Sequence, residues 1–65
     1  MKRIHIGTKV KCNIEKDEIG IVYDILLQEG YKPIVYIKYP RGKFKNPIDN
    51  SNKWSTHFEK LEIVN

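Results

Sequence analysis

Cysteine, tryptophan and methionine each occur once in this 65-residue chain, and no apolar stretch approaches the roughly 20 residues of a membrane-spanning helix. A lone cysteine closes no internal disulfide, so the fold is expected to hold without covalent staples. That suits a reducing compartment, and the cytoplasm is the expected location. The basic start, Met1-Lys2-Arg3-Ile4-His5, leads into alternation and not into an apolar run, so neither a signal peptide nor a membrane anchor is expected. Metal ligands are equally scarce. Structural zinc needs four, and the chain offers Cys12 with His5 and His57 far apart in sequence. Neither histidine is tied to Cys12 by a known spacing, and no paired acid and base stands out, so catalysis, a cofactor and a small-molecule substrate are not expected. Repeats, linkers and low-complexity segments are missing too. At this length the chain is expected to form one domain over residues 1–65, because domains this small bury only about 60% of their unfolded surface and leave no room for a deep cleft.

What the chain does have is alternation. From residue 4 to 14 the even positions Ile4, Ile6, Val10, Cys12 and Ile14 are apolar, with Thr8 the exception, while Lys9, Lys11, Asn13 and Glu15 fall on the other face. A period of two predicts a strand with one buried face. Residues 19–27 and 34–39 read as two further strands, with Glu15-Lys16-Asp17-Glu18 as the polar connection between the first two. Gly20 marks a bulge or a close approach of another backbone. Val22 and Ile25, three apart, both point inward only if the second strand carries a bulge. On the third strand Val35, Ile37 and Tyr39 are assigned to the core, and Ile34, Tyr36 and Lys38 to the opposite face. Gly30 and Pro33 punctuate the turn before it.

Residues 40–53 hold few apolar side chains, only Phe44 and Ile48 beyond Pro40 and Pro47, and read as a long loop. Trp54 opens a fourth strand. Thr56-His57-Phe58-Glu59 has the spacing of a capping box, which predicts a single helical turn through Leu61. Leu61, Ile63 and Val64 supply a last strand. Abundant lysine, isoleucine, asparagine and tyrosine suggest an AT-rich genome, such as that of a low-GC bacterium or its phage.

This order of elements resembles the SH3-like small barrels, among them the Tudor, KOW-type and related bacterial and phage barrels. The likeness rests on the Gly-x-Val-x-x-Ile second strand from Gly20, the Val-x-Ile-x-Tyr third strand from Val35, the Trp54-led fourth strand, the turn Phe58-Glu59-Lys60-Leu61 and the terminal Leu-x-Ile-Val. It covers nearly the whole chain and implies an all-β, five-stranded SH3-like barrel with one helical turn before the last strand, acting as a non-catalytic binding module. A KOW pattern would carry a glycine a few residues before Gly20, where this chain has Lys16, Asp17 and Glu18. An acidic turn there would repel RNA phosphates.

Charge is segregated. Residues 1–11 carry four bases and no acids, residues 12–31 are acidic, and residues 32–53 carry six bases against Asp49. With a net charge of +4, a one-sided basic face would attract polyanions. Lys38, Arg41, Lys43, Lys45 and Lys53, interleaved with Tyr36 and Phe44, match the pattern used on nucleic acid, where cations track phosphates and rings stack on bases. Trp54 is expected to cover the core, as the largest side chain of so short a chain, and Phe44 to be exposed. The expected partner is nucleic acid or a nucleoprotein complex, met through residues 41–53. The competing expectation is a protein partner met by Tyr31, Ile34 and Tyr36, as in a small bacterial or phage regulator that occludes a host protein. A Tudor-type cage would need three or four rings and an acid around one pocket. Tyr23, Tyr36, Tyr39 and Asp24 are of the right types, but their spacing does not bring them together.

Overall fold

The computed structural model describes residues 4–64, so Lys2 and Arg3 of the first basic block lie outside the described residues. It is all-β. Strands β1 (Lys9–Cys12), β2 (Glu15–Leu26), β3 (Ile34–Lys38), β4 (Lys53–His57) and β5 (Leu61–Ile63) form one antiparallel sheet in the order β4-β3-β2-β1-β5, and the only helical element among the described residues is a 3-10 turn at Phe58–Lys60. No helix among the described residues is long and apolar enough to cross a membrane.

The sheet curls around one core of Val10, Cys12, Val22, Val35, Ile37, Tyr39, Phe44 and Leu61, against which Ile4, Ile25, Trp54 and Phe58 pack. Trp54 comes from one edge strand and Leu61 from the other, so a flat sheet would hold them far apart. Val35, Ile37 and Tyr39 are buried as the alternation of the third strand requires. The expected bulge in β2 lies at Tyr23, where pairing with β3 slips between Val22↔Ile37 and Asp24↔Tyr36. It allows Val22 and Ile25 to share the inner side, opposite Ile37 and Val35. Gly20 is where backbones crowd: a Cβ there would lie 3.3 Å from the Tyr39 ring and 3.4 Å from the Lys38 carbonyl oxygen.

Three expectations are corrected. The first strand is shorter than its alternation. Thr8 breaks it because its hydroxyl accepts the His5 amide at 2.9 Å and its own amide donates to the His5 carbonyl at 3.0 Å, closing a turn with Gly7 at φ 95°. Ile6 is left 68% exposed on that turn. The polar stretch from Glu15 is no connection but the start of β2, because the hairpin closes on Asn13 and Ile14, with Cys12 paired to Glu15. Between Cys12↔Glu15 and Val10↔Gly20 two steps on β1 face five on β2, so β2 bows away over residues 16–19. Finally, no capping box forms. Thr56 stays in β4 opposite Val35, His57 holds the cap position while its ring meets the Pro33 carbonyl at 3.2 Å and not the turn, and the Glu59 carboxylate is taken by Lys32 at 2.7 Å.

Candidate functional site

The pairing register places Lys9 opposite Ile21, Ile21 opposite Lys38, and Lys38 opposite Lys53. The neighbours of these residues, Val10, Val22, Ile37 and Trp54, face the core, so the four form one row across the outer face of β1, β2, β3 and β4. Three strand-to-strand steps give the row a span of about 14 Å. All three lysines are exposed, and among the described residues none is in an ion pair. Like charges placed directly opposite on neighbouring strands repel, so the Lys38–Lys53 pair costs stability.

One step along the sheet is an aromatic pair. Tyr23 follows the core-facing Val22, which pairs with Ile37, so it emerges on the outer face beside Tyr36, with ring centroids 6.1 Å apart and planes tilted by 55°, and the bulge sets Asp24 on the same side. The Lys53 ammonium lies 5.6 Å from the Tyr23 centroid, within cation–π range. Tyr36 is flanked across the strands by Asp24 and Ser55. Tyr39 lies in the core, and among the described residues no third ring pairs with Tyr23 or Tyr36, so the side chains considered for a Tudor-type cage do not form one.

Phe44 corrects the expectation of an exposed ring. It is 8% exposed, packed 4.7 Å from Tyr39 and edge-on to Trp54 at 6.0 Å. A small sheet with open ends needs a lid, and the loop supplies this ring. Phe44 is therefore unavailable for stacking on a base, while its neighbours Lys43 and Lys45 are turned outward and exposed. The loop is held from both ends. The Glu18 carboxylate accepts the Phe44 amide at 3.1 Å and packs so tightly on Gly42 that a Cβ there would overlap it. Asn46 forms an Asx turn with the Ile48 amide at 2.8 Å and donates to the Lys53 carbonyl at 2.9 Å. Asp49 accepts the Ser51 amide at 2.9 Å, and hydrogen bonds from Ser51, helped by Lys53, hold its carboxyl below the usual carboxylate range. Arg41 lies beside the end of the lysine row, lining a shallow groove with Lys9, Ile21, Pro40, Asp17 and Glu18. The acids expected to repel a polyanion thus partly serve as structural partners of the basic loop.

Of the expected nucleic-acid residues, Lys38 and Lys53 meet on the outer face next to Tyr36, Arg41, Lys43 and Lys45 lie on the clamped loop, and Phe44 is internal. Lys9 was missed as a partner of this face and Tyr23 was considered only for a Tudor-type cage; the cross-strand register, through Lys9 opposite Ile21 and Val22 opposite Ile37, brings both to it. Of the protein-contact residues, Ile34 and Tyr36 share the outer face with Leu26 and His57, while Tyr31 stands 76% exposed at the β2–β3 turn. Cys12 is buried, and among the described residues no cluster of His, Cys, Asp and Glu is suited to a metal. No protein-family model, curated protein or solved structure matches the chain.

Proposed function

We propose that this chain is a non-catalytic binding module of SH3-like architecture that holds nucleic acid, alone or within a nucleoprotein complex, on the outer face of its sheet. The observation that carries the reading is the row Lys9–Ile21–Lys38–Lys53. Its lysines are exposed and without ion pairs among the described residues, and Lys38 and Lys53 stand directly opposite one another, an arrangement of like charges that costs stability. A polyanion relieves the repulsion and releases counterions as it does so. Arg41, Lys43 and Lys45 extend the basic surface along a loop fixed by Glu18 and Phe44. Sheet order and the 3-10 turn before β5 support the architecture.

The test is the salt dependence of oligonucleotide binding. Three phosphate contacts give a slope of log affinity against log salt of about −2 to −3, and each of Lys9→Ala, Lys38→Ala and Lys53→Ala reduces its magnitude by about 0.7 to 0.9. Absence of binding at low salt, or slopes indifferent to all three substitutions, defeats the reading.

A second reading has its own observation. Leu26, Leu27 and Tyr31 are exposed together around the β2–β3 turn, Leu27 by 74%, next to Ile34. Apolar and aromatic side chains so placed suit a protein partner. Binding of this kind would be insensitive to salt and to the lysine substitutions.

A further inference from the structure

We infer that the outer face takes nucleic acid as a single strand, with the backbone along the lysine row and an unpaired base on the Tyr23–Tyr36 pair. The inference rests on the proposed function and adds the substrate class. Its basis is the pairing of the two rings. Tyr23 follows Val22, which pairs with Ile37, so it falls beside Tyr36 on the outer face, and the bulge adds Asp24 to the same patch of surface. At 55° the rings are splayed and do not cover one another's faces, and Lys53 approaches one side of Tyr23. Aromatic faces of this kind offer a stacking surface to any base.

Polarity fixes the orientation of the strand. The cations lie in the Lys9–Lys53 row, whereas Asp24 stands directly opposite Tyr36. A phosphate placed over the tyrosines meets the Asp24 carboxylate, and one placed over the row meets ammonium groups, so the backbone follows the row and the bases project over the rings. In a duplex the bases are stacked on one another and present only edges in the grooves. The sheet curls away from its outer side, so a stiff duplex touches it over a short arc. A flexible strand bends to follow the surface.

The experiment compares a fluorescein-labelled single-stranded oligothymidine and a mixed-sequence RNA strand with a blunt DNA duplex of equal length, by anisotropy at low salt. The wild type, Tyr36→Val, which keeps a strand former at that position, and Tyr36→Phe, which keeps the ring, are measured alongside. The expected results are at least tenfold tighter binding of the single strands, and a loss of about 5- to 150-fold for them in Tyr36→Val with little change for the duplex. The salt slope is unchanged, and Tyr36→Phe restores wild-type affinity. Equal or tighter duplex binding, or single-strand affinity that ignores Tyr36→Val, overturns the inference and leaves the basic-face reading standing. Binding to none of the probes overturns both. Thermal melts establish that the variants are folded, and reversal of the loss by Tyr36→Phe separates a missing ring from a damaged sheet.

Discussion

The Glu18 carboxylate accepts the backbone amide of Phe44 at 3.1 Å, across 26 residues of sequence, and the same carboxylate fills the space beside Gly42. One acidic side chain on β2 thus sets the path of the basic loop and seats the ring that closes the core.

The two contacts are coupled. Glu18→Ala leaves the Phe44 amide without its charged acceptor and should cost about 1 to 3 kcal/mol. Gly42→Ala displaces the flexible end of that carboxylate and should cost no more than the hydrogen bond to Phe44 that is given up, about 1 kcal/mol. In the Glu18→Ala background the same Gly42→Ala change should be nearly free, since the overlapping group has gone. Urea unfolding of the four proteins measures the coupling. Additive losses would show that Glu18 does not occupy the Gly42 position.

Phe44 should behave as a core residue. Phe44→Ala should cost about 3 to 5 kcal/mol, most of the stability available to a domain of this size, and Phe44→Leu much less. Circular dichroism melts provide the check. A Phe44→Ala protein that melts like the wild type would return the ring to the surface.

Tyr39 carries a hydroxyl that is buried without a hydrogen-bond partner among the described residues. Burial first, and then Cys12, Glu15 and Glu18 around it, push its phenol well above the ordinary tyrosine value of 10.0. The unfolded chain therefore loses this proton first, so stability present below about pH 10 drains away above it. Tyr39→Phe should flatten that alkaline limb and, by removing an unsatisfied polar group, stabilise the protein at neutral pH by about 1 kcal/mol. A destabilised Tyr39→Phe protein would mean that the hydroxyl has a partner.

Asp49 and Glu59 contribute on the acid side. Both carboxyls lie below their ordinary values of 3.8 and 4.5, Asp49 chiefly through Ser51 and Glu59 chiefly through Lys32. The unfolded chain binds protons first as pH falls, so their contribution is present above those values and lost below them. Both groups are exposed, so the effect is small and weakens with salt. Asp49→Asn with Glu59→Gln should reduce the fall in melting temperature between pH 6 and pH 3. An unchanged acid limb would assign it to other carboxylates.

The fold was legible where side-chain parity alone decides. Val35, Ile37 and Tyr39 alternate cleanly and are buried, and the impossible spacing of Val22 and Ile25 announced the bulge. Parity failed where a polar contact outweighed it. Ile6 continues the apolar pattern, but the Thr8 hydroxyl diverts the chain into a turn that leaves it exposed. Glu15 and Glu18 look like loop residues because side-chain polarity does not distinguish a connection from a strand that bows away from its partner. The candidate site was legible as a composition of lysines and tyrosines. Its membership was not: Lys9 joins Lys53 only through three successive pairings, and Phe44 leaves the site because a small core with too few large side chains recruits it.

The most direct test of the basic, aromatic outer face is a titration of the 15N-labelled protein with a short single-stranded oligonucleotide, followed by amide chemical shifts. Shifts are expected to concentrate at Lys9, Ile21, Tyr23, Tyr36, Lys38 and Lys53, with smaller ones at Arg41, Lys43 and Lys45. Shifts confined to the β2–β3 turn around Leu27 and Tyr31, or no shifts at all, would contradict it.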